Sequence, residues 1–157
     1  MNHFKIDGKQ GFILLDFSDM FGFPNEISID DSYEIRGKLT LKSGNYIVND
    51  AEVWITIGQL HLLFQQLKKA YEQLKENVVF SNIDSSLYFN MTLKVAEGIF
   101  IQGYFQENEN RLYFELESNL CYIKSTLNEL EKMVDHYGDL LGIKKYSAVQ
   151  YCLSTYH

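Results

Sequence analysis

A chain of 157 residues is long enough to bury one well-filled core and too short to divide comfortably into two. Its formal net charge of -7, from 14 Lys and Arg against 21 Asp and Glu, opposes direct binding to nucleic acid, since no basic cluster is present to release phosphate counterions. Two distant cysteines, Cys121 and Cys152, an opening without a secretory signal, and apolar runs too short for a bilayer predict a reduced, cytoplasmic protein with no membrane attachment.

With 11 Tyr, 11 Phe and a single Pro, the composition favours strands. Gly11 to Phe17 is a short apolar run that reads as a buried strand after a turn at Gly8. Between Ser18 and Ser32, acids, Gly22 and Pro24 mix with Met20, Phe21, Phe23 and Ile27, predicting a long loop that tucks aromatic groups inward. From Tyr33 to Leu41 the alternation is clean: Tyr33, Ile35, Gly37, Leu39 and Leu41 share one face. A turn at Lys42 to Asn45 returns the chain as a hairpin partner, Tyr46 to Ile57, which Asn49 and Asp50 interrupt as a bulge or bend. Helical spacing follows Gly58, with Leu60, Leu63, Phe64, Leu67, Tyr71 and Leu74 on one stripe and a capping box offered by Thr56 and Gln59.

Val78 to Phe80 is a short strand. Leu87, Phe89, Met91, Leu93 and Val95 then alternate with polar residues up to a two-residue hairpin signal at Glu97 and Gly98. Ile99, Ile101, Gly103 and Phe105 share the next face. After the polar turn Glu107 to Asn110, Leu112, Phe114 and Leu116 close a meander. Ser118 and Asn119 are capping types before the stripe Leu120, Ile123, Leu127, Leu130, Val134 and Tyr137, with Gly138 placed to terminate that helix. The expected fold is α+β, a single antiparallel sheet of about six or seven strands in two meanders, with two amphipathic helices on one face and the other face open to solvent. It forms one domain over 1–157, with a core about 4–139 and a C-terminal extension, 140–157, packed upon it.

No group of residues spells out a catalytic motif. Asp135, His136 and Asp139 offer two carboxylates and an imidazole, yet consecutive helical residues point about 100° apart, so a solvated helix end outweighs a metal site, and no cofactor is implied. Cys121 and Cys152 lack a nucleophile setting and read as core or boundary thiols. Glu115 and Glu117 share a strand face and could form a hydrolytic pair, although the pattern shows no cleft. The same face reads more naturally as a binding surface: Trp54, Tyr88, Tyr104, Tyr113, Glu115 and Glu117 mix aromatic anchors with acids, which cross-strand pairing alone explains about equally well. A second acidic candidate is the loop bearing Asp19, Glu26, Asp30 and Asp31, continued by Glu34, able to steer a basic partner moderately.

Several segments, in order, are familiar: Phe4 to Gly8 with Gly11 to Phe17, Tyr33 to Leu39, Gly58-Gln59-Leu60, Gly103-Tyr104-Phe105, Tyr122-Ile123, Thr126 to Leu130 and Tyr137-Gly138-Asp139. Together they resemble the WapI-type immunity proteins of bacteria over roughly residues 4–139. The resemblance implies a small cytoplasmic protein, a monomer or weak dimer, that binds and neutralises the C-terminal domain of a contact-delivered WapA-type toxin acting on tRNA. Its partner would then be a basic toxin domain, expected to be a nuclease, with no part for nucleic acid or membrane. A small hydrolase using Glu115 and Glu117, or a ligand-binding module in the concavity of a curved sheet, are the alternatives.

Overall fold

Strand alternation and helical periodicity divide the chain much as the sequence predicts, in a computed structural model that describes residues 2–21, 33–94 and 96–137. The elements are β1 (His3–Gly8), β2 (Gly11–Phe21), β3 (Glu34–Ser43), β4 (Tyr46–Thr56), α1 (Ile57–Gln73), β5 (Asn77–Ser81), β6 (Leu87–Lys94), β7 (Gly98–Glu107), β8 (Asn110–Ser118) and α2 (Leu120–Tyr137). The first strand, β1, is additional to the expected set. The expected loop after Ser18 is strand as far as Phe21, and its remainder lies outside the described residues, as do Gly138, Cys152 and the C-terminal extension.

The single sheet is not what forms. Strands β1-β2-β3-β4 make one four-stranded antiparallel sheet and β5-β6-β7-β8 a second, each a meander in sequence order. The division falls at α1: its 17 residues carry the chain away from β4 before β5 begins, so the two meanders never become hydrogen-bonded neighbours through β4 and β5. Within β4 the expected interruption is present, because the pairing with β3 shifts register between Leu39 and Leu41 and Asp50 takes φ 53°. Lys94 pairs with Gly98, so the β6–β7 hairpin closes through three intervening residues instead of two. Gly98, at φ 117°, supplies the backbone that an L side chain rarely adopts.

The apolar faces of both sheets and both helices share one core, from Phe4, Ile13, Leu39 and Ile55 through Leu63 and Leu67 to Phe89, Ile101, Leu130 and Met133. α1 starts at the predicted capping box, with Gln59 N donating to Thr56 Oγ1 and Thr56 N donating to Gln59 Oε1, each at 2.9 Å. Asn119 caps α2 by accepting from Tyr122 N at 2.9 Å. α1 packs against β5, α2 packs against β1, and the helices pack on each other.

An edge strand exposes unpaired main-chain groups, and here single side chains seal much of that edge. On β1, Lys5 N donates to Glu129 of α2 (3.0 Å) while Lys5 O accepts from Thr126 Oγ1 (2.6 Å). On β5, the Gln66 amide of α1 answers both groups of Val79, at 3.2 and 3.1 Å. The sheets meet where the hairpin turns of the first abut β8: Lys9 N donates to Glu117 O (2.8 Å) and Ser118 Oγ to Asp7 O (2.6 Å), with Ser43 Oγ at 3.4 Å from Glu115 O.

Candidate functional site

Period-two alternation buries one face of β6, β7 and β8 and turns the other outward, and the antiparallel register stacks the outward residues in rows. Tyr88, Tyr104 and Tyr113 form one row, Asn90, Gln102 and Glu115 the next, and Thr92, Phe100 and Glu117 the third. Five of the residues chosen from the sequence, Tyr88, Tyr104, Tyr113, Glu115 and Glu117, thus come together on one surface.

The tyrosine row is a continuous ladder. Tyr88 stacks on Tyr104 at 5.6 Å between ring centroids, and Tyr104 meets Tyr113 edge-on at 6.1 Å. Arg111 braces it: its guanidinium lies 4.3 Å over the Tyr104 ring and donates to Tyr113 Oη (3.1 Å) and Gln106 Oε1 (2.8 Å). Such contacts hold the rings in place before any partner arrives. Tyr113 nevertheless remains 69% exposed.

Charge on this face is mixed, where the sequence predicts an acidic one. Glu117 is paired with Lys9 of the β1–β2 turn at 3.1 Å, and Arg111 adds a second cation. Glu115 accepts from Gln102 Nε2 at 3.1 Å and has no cationic partner among the described residues. A shallow depression of 590 Å³ is lined by the tyrosine row together with Asn90, Gln102 and Glu115. A second, of 310 Å³, is lined by Lys9, Gln10, Phe100 and Glu117, and both include Gln102 and Glu115.

The other candidates fall elsewhere. Trp54 stands on the first sheet, against Phe21 at 5.4 Å, its indole donating to Glu52 at 3.1 Å. Beside it Arg36 is ion-paired with Asp19, and Glu34 is exposed at the start of β3. Glu26, Asp30 and Asp31 lie outside the described residues. Cys121 is exposed in the first turn of α2 and not a core thiol, because the buried stripe of that helix runs through Ile123, Thr126, Leu127, Leu130 and Met133. Asp135 and His136 are exposed, Asp139 lies outside the described residues, and no cluster of three metal-ligating side chains occurs among the described residues.

Sequence reasoning missed Arg111, Gln102, Phe100 and Lys9. The first three share the outward parity of their strands and were legible on that ground. Lys9 sits in a turn and reaches the face only because the sheets meet there.

The model of one family, described as immunity protein WapI-like, matches residues 3–138, a span that opens on the first residue of β1 and closes just after α2. The chain belongs to that family. Membership brings a toxin-neutralising role, a cognate toxin protein as partner, and an inhibitor's mode of action. No curated protein gives a significant match. No helix among the described residues is long and apolar enough to cross a membrane.

Proposed function

We propose that this protein acts in the cytoplasm as a stoichiometric inhibitor, and that the outward face of β6, β7 and β8 is where it meets the catalytic domain of a nuclease toxin. The observation that carries this reading is the braced tyrosine ladder, half-buried and stacked at Tyr88 and Tyr104 and exposed at Tyr113. Protein interfaces concentrate their energy in aromatic anchors whose conformation is set in advance, because little side-chain entropy is then lost on docking.

The net charge of the chain supports a nuclease as the toxin class. A nuclease must present cations to the phosphate backbone of its substrate, and a chain of net charge -7 is the complementary body, able to raise the association rate and compete for that surface. The hydrolase reading loses support from the same geometry. Lys9 holds Glu117, and the depression around Glu115 is shallow, so water is not excluded from the carboxylates.

Co-expression with the C-terminal domain of a candidate WapA-type toxin tests the proposal. Growth should be restored, and the two chains should elute as one complex from a sizing column. Continued growth arrest with separate elution would refute it.

A further inference from the structure

Among the described residues, the charges on the proposed docking face leave one for a partner to answer. Glu117 is satisfied by Lys9 at 3.1 Å. The Arg111 guanidinium is spent on Gln106, Tyr113 and the Tyr104 ring. Glu115 is exposed and, among the described residues, receives only the Gln102 amide. Among the described residues no ion pair joins Glu115 to Arg111 or to Lys9.

The surroundings of Glu115 define what would. Gln102 donates its Nε2 to Glu115 Oε1, which fixes the carboxylate and leaves Gln102 Oε1 and Glu115 Oε2 as neighbouring acceptors. Tyr113 precedes Glu115 by two residues on β8, roughly 7 Å at the usual rise of a strand, and Phe100, opposite Glu117 on β7, stands diagonal to it at about 7–8 Å. Two adjacent oxygen acceptors between aromatic rings match a guanidinium, planar and forked, better than a compact ammonium.

We infer that Glu115, oriented by Gln102 and flanked by Tyr113 and Phe100, is the receptor for an arginine side chain of the toxin. This rests on the function proposed above and names the group that function requires the partner to supply. It also separates two carboxylates that the sequence alone treats as equivalent: Glu115 reads the partner, while Glu117 holds Lys9 and the junction between sheets.

The test is calorimetric titration of the same toxin domain into the wild-type chain, Glu115→Gln and, as a control on the exposed side of α2, Glu131→Gln, at about 50 and 300 mM salt. Glu115→Gln should weaken binding roughly 10- to 100-fold, as expected for losing a charged hydrogen-bonded pair, with a reduced salt dependence. Glu131→Gln should change it less than about threefold. Both side chains face solvent, so thermal unfolding of each variant should match wild type and exclude misfolding as the cause. A double-mutant cycle should then identify one toxin arginine coupled to Glu115, with Arg→Lys in the toxin failing to restore affinity. Tight binding by Glu115→Gln would overturn the assignment while leaving the inhibitor function intact. Failure of the wild-type chain to bind would instead overturn the function beneath it.

Discussion

Replacing Thr126 by Val should expose how much of this fold depends on sealing the β1 edge. Thr126 is fully buried, and its Oγ1 lies 2.6 Å from Lys5 O and 3.1 Å from Tyr122 O. Val keeps the shape and removes the donor. The Tyr122 carbonyl lies within a helix and retains its own ladder, but Lys5 O is on the open side of an edge strand and loses the partner that α2 supplies. Leaving a buried acceptor unpaired costs about 1–3 kcal/mol. Taking about 2 kcal/mol and the 2–4 °C per kcal/mol typical of domains above roughly 150 residues, Tm should fall by about 4–8 °C. With a urea m-value near 2 kcal/mol/M, the midpoint should move down by about 1 M at unchanged m. Chemical denaturation followed by far-UV circular dichroism measures both. A Thr126→Val midpoint within about 0.2 M of wild type would refute the claim that this hydroxyl holds the edge. Glu129→Ala removes the second clasp on the same residue, and the two losses should be non-additive because they share Lys5. Light scattering on the double variant should show new self-association, since an unsealed edge is a template for strand pairing.

Removing the α1 cap by Thr56→Ala should cost about 1 kcal/mol, readable as a lower urea midpoint, because Gln59 N loses its acceptor Oγ1 while the main-chain N–H of residue 56 can still donate to Gln59 Oε1. Burial pushes the His61 pKa below 6.5, so the unfolded chain takes up the proton first; stability from this group is intact above about pH 6.5 and lost as pH falls through the lowered folded value. A wild-type minus His61→Phe stability curve between pH 7.5 and 5 should therefore slope downward on acidification, and a flat difference would contradict it. Arg111→Ala should leave stability within about 0.5 kcal/mol of wild type, as an exposed position does, while weakening toxin binding several-fold through a less ordered Tyr104 and Tyr113.

The parts of the fold written in periodic signals were readable from the sequence, and the parts made by single contacts were not. Alternation in Ile35, Leu39 and Leu41, or in Leu87, Phe89 and Met91, states which face is buried. It does not state which strand edges will pair, so two meanders read as one sheet. β1 escaped notice because only Phe4 and Ile6 mark its inner face, too few to stand out as a period. The seals at the edges, Gln66, Thr126 and Glu129, are isolated polar residues whose purpose depends on a strand distant in sequence. At the candidate site the same distinction holds. The outward parity of Tyr88, Tyr104, Tyr113 and Glu115 was legible and places them together. Trp54 has the right parity on the wrong sheet, and the Lys9–Glu117 pair required knowing where the sheets touch.

Photo-crosslinking tests the account most directly. A benzophenone amino acid installed at Tyr113, or in parallel at Glu131 on the exposed side of α2, is irradiated in the presence of the toxin domain. An adduct from position 113 and none from position 131 is the predicted result. Adduct from 131 with none from 113, in a complex that still neutralises the toxin, would place the inhibitory contact on the helical side and contradict the role given to the tyrosine face.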